Sequence, residues 1–182
     1  MNHVVAEYNL LHHCCKSKPV KLEDAQIEND ERIMHDCLCL AHGHGKAVTK
    51  STDIPVAAII THAELGVIAK ATNTTIQNTD PTAHAEIAAI RQASRLLGNH
   101  RLSLCTLYVS LEPCMMCFGA CMEARLQRIV FAAHDLKVGM LSKGVYKNTH
   151  SLGNHHFTWT GGVLREQASH HLKQFFRKHC RA

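Results

Sequence analysis

Two short motifs hold side chains able to do chemistry together: His84-Ala85-Glu86 and Pro113-Cys114-Met115-Met116-Cys117. Imidazole nitrogen and thiolate sulfur are ordinary donors to a zinc ion. Each motif alone is weak. The Cys-x-x-Cys pair reads equally as a redox couple at a helix N-terminus or as half of a closed structural metal site. A lone histidine on a helix is more often a core or surface residue. Together the motifs offer three ligands and one carboxylate. A closed structural site takes four protein ligands, whereas a catalytic one leaves the fourth position to water. Cys121 follows Cys114 on the same expected helix, roughly 10 Å further along its axis. Zn–S bonds of about 2.3 Å cannot span that from one ion. Cys105 lies before the preceding strand and is not excluded by this argument; the open site is still the preferred reading. Glu86 is turned roughly 200° from His84 around a helix, which sets it toward water and substrate as a proton carrier. Two thiolates cancel the charge of the ion, and two helix N-termini, which favour negative charge, compensate. That combination supports a zinc-bound hydroxide near neutral pH.

The elements that position these groups follow from periodicity and punctuation. Ile27, Met34, Cys37, Leu38 and Ala41 recur on one face and predict a helix over 22–41. Strands are expected at 56–61 and 67–71, joined by a turn at 62–66. Asp80-Pro81 reads as the N-cap and first position of a helix that stops at Gly98. A strand at 106–110 precedes a helix opening at Pro113 and running to about 125, and a further strand covers 128–133. Residues 134–153 read as a long connection with weak helical pieces, followed by a strand at 156–160 and a helix at 164–178. Strands alternating with helices indicate a layered α/β fold. The run 114–122 is almost wholly apolar and reads as a central core helix or as a subunit interface. Cys37, Cys39, His42 and His44 resemble a ligand cluster on paper, but Cys37 and Cys39 point to different sides of a helix, so structural cysteine is preferred. His12-His13-Cys14-Cys15 reads as part of a tail.

Composition sets the remaining limits. A chain of 182 residues suits one domain. Its longest apolar stretch, 54–60, is far too short for a bilayer span. The first eleven residues lack the charged head and apolar run of a signal peptide, so a cytoplasmic protein is expected. Nine cysteines in a reducing compartment are thiols or metal ligands rather than a disulfide framework. A net charge of +5 permits a polyanionic partner without requiring one. The basic residues after 164 read most simply as a solvated helix face.

His-x-Glu followed by Pro-Cys-x-x-Cys is the signature of the zinc nucleobase deaminases. Over about residues 54–176 the chain resembles the bacterial tRNA adenosine deaminases. The likeness rests on Pro55-Val56, Asn73, the run from Asp80 to Glu86, the run from Leu107 to Cys114, and the run from Arg128 to Phe131. It continues through Asp135, Lys137 and Gly139, Asn154-His155, and Phe175-Phe176-Arg177. It implies a three-layer α/β/α cytidine deaminase-like fold with a central mixed sheet of about five strands. Residues 31–182 would form the zinc deaminase domain and 1–30 a variable N-terminal extension.

By that resemblance His84, Cys114 and Cys117 hold one zinc per subunit and Glu86 shuttles protons. Asn73 hydrogen-bonds the flipped base, with Ala85, Leu111 and Asn154 also at the substrate. Asp135 and Lys137 touch flanking nucleotides, and Phe176 and Arg177 support the anticodon loop. The implied reaction is hydrolysis of adenosine to inosine at the tRNA wobble position, with hydroxide attacking C6, by a homodimer. The chain departs from the family pattern at Ala57, over 69–72 and over 140–151, none of which touches the ligands or Glu86. Two other readings stand beside it. One is a deaminase of a free base or nucleoside, of guanine or cytosine type. The other is a non-catalytic, zinc-stabilised RNA-binding subunit, whose sign would be loss of a carboxylate that Glu86 still provides.

Overall fold

Successive residues of the central strands are apolar on both sides, so a sheet built from them must be covered twice. The structure, a computed structural model, describes residues 24–43, 53–142 and 155–179. Its elements are α1 (Asp24–Ala41), β1 (Ala57–His62), β2 (Gly66–Thr72), α2 (Ala85–Leu97), β3 (Cys105–Leu111), α3 (Met115–Glu123), β4 (Arg128–Ala133), β5 (Thr158–Gly161) and α4 (Arg165–His179). The sheet has five strands in the order β2-β1-β3-β4-β5. β1 is antiparallel to β2 and β3, whereas β3, β4 and β5 run parallel, so the sheet is mixed.

On one face Ala58 and Ile60, Leu107 and Val109, and Ile129 and Phe131 pack with Ala85, Ala89 and Ala93 of α2 and with Phe118 and Cys121 of α3. On the other, Ala57, Ile59, Tyr108, Val130 and Ala132 pack with Ile33, Met34, Cys37 and Leu38 of α1 and Ala168 of α4. The result is the three-layer α/β/α arrangement expected from the sequence. Cys37 serves that core: it is fully buried, with its sulfur 3.1 Å from the Ala57 carbonyl. Cys39 is half-buried beside His35, while His44 and the 12–15 cluster lie outside the described residues.

A polar tether fixes α1 to the sheet. Arg128 makes a two-pronged contact with Asp30 at 2.9 and 2.6 Å, and the Tyr108 hydroxyl donates to the same carboxylate at 2.8 Å. Removing one member of such a buried pair strands the other and costs about 3–5 kcal/mol.

Two helix starts differ from expectation, and both differences concern the site. α2 begins at Ala85 with His84 as its N-cap, not at Asp80-Pro81. Asp80 instead closes a turn: its carboxylate accepts the Thr82 amide at 2.7 Å and its carbonyl accepts the Ala83 amide at 3.1 Å. Likewise α3 begins at Met115 with Cys114 as N-cap, one residue beyond Pro113, and ends at Glu123. β5 opens at Thr158 rather than at 156. The stop at Gly98 stands as read: it is left-handed at φ 60°, and Gly98 and Asn99 bond back to Arg95 and Ser94. Among the described residues no helix is long and apolar enough to cross a membrane.

Candidate active site

α3 is the crossover between the parallel strands β3 and β4, so its N-terminus sits beyond the carboxyl end of β3. In open α/β sheets that is where ligands bind. The short link Leu111–Cys114 therefore delivers Cys114 and Cys117 to one spot, and the turn after β2 delivers His84 to the same spot. The His84 side chain makes no capping hydrogen bond to α2. Its Nδ1 lies instead 3.4 Å from the Cys117 sulfur and 3.7 Å from the Cys114 sulfur. The donor atoms of His84, Cys114 and Cys117 all lie within 4.8 Å of one another. Cys121 and Cys105 are buried elsewhere and do not join the group. Burial pushes the Cys105 thiol up to about 11, and Cys121 well above its usual value, so both stay protonated core residues.

The local field favours one sulfur as the thiolate. Cys117 donates a hydrogen bond to Cys114, which draws the Cys114 thiol down to about 5 against the opposing effect of burial. The amides of Cys117 and Met116, in the first turn of α3, favour the same thiolate, as does His84. Cys117, the donor of that bond, is displaced upward, and burial and the neighbouring Glu86 add to the displacement. A metal ion held by His84, Cys114 and Cys117 would replace the shared proton and remove the conflict, because both sulfurs would bind it as thiolates.

Glu86 is buried, in the first turn of α2, and lies outside the ligand group. Burial raises its carboxyl, opposed by its own amide, by His84 and by a hydrogen bond with Cys117. Glu86 thus stands beside His84, Cys114 and Cys117 without joining their group. The helical turn used to reach it applies only loosely, since His84 precedes the helix.

The other expected site residues are spread around this centre. Ala85 is fully buried and Leu111 half-buried at the end of β3. Asn73 is half-buried and lines a cleft of about 410 Å³ together with Asp53, Val56, Thr72 and, from α4, Phe175. His84, Cys114 and Cys117 do not line that cleft. Asp135 accepts the amides of Lys137 and Val138 at 2.8 and 3.0 Å, which shapes the turn that exposes Lys137. Phe176 and Arg177 are exposed on α4 and do not line the cleft; Phe175 takes that place. Asn154 lies outside the described residues.

Two carboxylates that the sequence reading passed over organise the loops around the site. Glu112 is 2 % exposed and accepts the amides of Asp135 (3.1 Å), Leu141 (2.9 Å) and Ser142 (2.7 Å) and the Ser142 hydroxyl (2.8 Å). It thereby ties the residue just before Pro113-Cys114 to the loop that bears Asp135 and Lys137. Gly139 is required there, because a Cβ would stand 2.5 Å from both the Asp135 carbonyl and the Glu112 carboxyl carbon. Asp53 does the same for the loop after Asn73, accepting the amides of Ile76 (2.7 Å) and Gln77 (3.1 Å). For Glu112 a signal existed: a carboxylate at the end of a mostly apolar strand has to find partners.

Comparison with known proteins agrees with this geometry. Residues 28–179 match the MafB19-like deaminase family. A tRNA-specific adenosine deaminase of Haemophilus influenzae is 40% identical over 151 residues, 83% of this chain and 85% of that protein. A solved structure from work on tRNA:A34 deaminases acting at the wobble position superposes with a TM-score of 0.69 at 34% identity, covering 77% of this chain and 98% of that one. The guanine deaminase of Nitrosomonas europaea shares the fold with a TM-score of 0.62 at 25% identity, over 90% of this chain and 98% of that one.

Proposed function

The chain belongs to the MafB19-like deaminase family and to the tRNA-specific adenosine deaminases, and on that premise we propose that it converts adenosine to inosine at the wobble position of tRNA. The observation that carries the reading is the His84, Cys114 and Cys117 group with a buried carboxyl, Glu86, hydrogen-bonded at its edge. One imidazole and two sulfurs suit zinc, with one ion in each subunit. When bound, zinc supplies a Lewis acid that brings the pKa of a water molecule near 7.

The remaining work belongs to side chains of this chain. Water adds to C6 of the base, the C6–N bond breaks and the amino group leaves as ammonia. Glu86 takes the proton from the water, passes it to N1, and carries a proton to the departing amine. A carboxyl raised by burial suits that traffic, since it is a stronger base toward the water proton than a carboxylate in solvent. Asn73 hydrogen-bonds the flipped base from its cleft, and Ala85, Leu111 and Asn154 are the further residues assigned to the substrate. Asp135 and Lys137 meet flanking nucleotides, and Phe176 and Arg177 back the anticodon loop. With a tRNA substrate goes a cytoplasmic location.

A homodimer fits the same site. Met115 is 68 % and Met116 36 % exposed at the start of α3, beside exposed Gly119, and a second copy would cover that apolar face.

The test is direct. Purified protein is incubated with an anticodon stem-loop bearing wobble adenosine and, separately, with free guanine, and products are read by mass spectrometry. Inosine in the RNA is expected. Guanine turnover with the RNA untouched would give the guanine-deaminase reading instead.

A further inference from the structure

The geometry points to Thr75 as a positioning residue that fixes which way round the Asn73 amide faces the substrate. The inference rests on the reading of Asn73 as a contact to the base. An asparagine amide turned by 180° keeps its shape but exchanges a donor for an acceptor, so its orientation decides what it can recognise. Here the orientation follows from a chain of hydrogen bonds. The Thr75 hydroxyl donates to Asp53 at 2.9 Å, and the Asn73 Nδ2 donates to the Thr75 oxygen at 3.3 Å.

The direction of that chain is forced from its buried end. Burial works against ionisation of Asp53, yet the amides of Ile76 and Gln77 and the Thr75 hydroxyl outweigh it and hold the carboxyl below its usual range. Near neutral pH Asp53 is a carboxylate, which accepts and has no proton to give. Thr75 has one O–H, and Asp53 takes it. Toward Asn73 the Thr75 oxygen is then only an acceptor, so Asn73 must turn its NH2 group to it. The Asn73 oxygen and its second N–H are left for the cleft that Asn73 lines. Asp53 itself is 4 % exposed, so the anchor of the relay is sealed from competing water.

The test uses the full chain, loaded with zinc, on an anticodon stem-loop bearing wobble adenosine. Thr75→Val keeps the shape and removes the hydroxyl, and a net hydrogen bond of ordinary strength predicts a loss of about threefold to tenfold in kcat/KM. Thr75→Ser retains the hydroxyl and is expected to restore the wild-type value. Thr75→Ala repeats the loss should valine disturb the loop. A double-mutant cycle separates positioning from mere packing: once Asn73→Ala has removed the amide, adding Thr75→Val should cost nothing more. Wild-type activity in Thr75→Val and Thr75→Ala alongside an impaired Asn73→Ala overturns the relay. So does a Thr75→Val loss that adds in full to that of Asn73→Ala. An Asn73→Ala enzyme as active as wild type instead strikes down the reading of Asn73 as the base contact.

Discussion

Glu86 can carry protons only if burial and the ligand group act on it together. It is 4 % exposed, so water does little to stabilise its charge, while His84 and the Cys117 thiol favour the carboxylate. These opposed influences suit a carboxyl that must take up and release a proton twice in a turnover. Replacing it with alanine should leave the three ligands in place, because Glu86 is outside their group. Metal analysis should therefore return the wild-type zinc content for Glu86→Ala. Turnover of wobble adenosine should fall by at least about 10²- to 10⁴-fold, the usual contribution of a positioned acid–base group. Zinc lost together with activity would mean that Glu86 holds the metal site and is not its proton carrier.

At the scale of elements, the site depends on how β3, α3 and the loop after β4 are joined, and Glu112 is the joint. Removing its side chain leaves the buried amide of Leu141 and the neighbouring Ser142 amide without their acceptor. With about 1–3 kcal/mol for each unsatisfied buried group, Glu112→Ala should lose about 2–6 kcal/mol. At about 2–4 °C per kcal/mol for a chain of this size, that is a fall in Tm of roughly 4–24 °C. Zinc content should hold while the KM for RNA rises, because the loop carrying Asp135 and Lys137 is released.

His134 adds a pH dependence to the same joint. It lies 3.6 Å from Glu112, yet burial lowers its pKa from 6.5, with Glu112 opposing and Arg165 adding to the fall. The folded state thus binds this proton less readily than the unfolded chain does. Stability is present above pH 6.5 and drains away as pH falls below it. Melting curves should show wild type losing more Tm than His134→Gln as the buffer is taken from about pH 7.5 to 5.5. Parallel curves would remove His134 from the account.

Part of this was legible beforehand. The strands and the Cys-x-x-Cys spacing carry local patterns, and Gly98 announces a stop. Asp80-Pro81 misleads because the same pair serves a turn as well as a helix start. His84 is hidden as an N-cap because histidine is not among the residues that usually fill that position. The partners of Glu112 and Asp53 are backbone amides 23 to 30 residues away, and such contacts leave no period to read.

The whole molecule sets the choice between a nucleic acid and a free base. Its net charge of +5 is modest, but Lys173, Arg177 and Lys178 are all exposed on α4, which also borders the Asn73 cleft through Phe175 and Lys178. An enzyme that grips RNA there displaces counterions, and each phosphate contact to a single strand adds about −0.7 to the slope of log affinity against log salt. Three or four such contacts predict a slope near −2 to −3, so raising salt fourfold should lower kcat/KM on a stem-loop by about 20- to 50-fold. A free base carries no phosphate and should show almost no slope. Lys178→Gln removes one cation and should make the slope shallower by about 0.7 to 0.9 while leaving kcat largely alone, because Lys178 is not among the groups assigned to the chemistry, His84, Glu86, Cys114 and Cys117. A slope that Lys178→Gln does not move would take α4 off the RNA. A flat dependence in the wild-type enzyme would leave its basic helix as a solvated face and return the substrate to a free base.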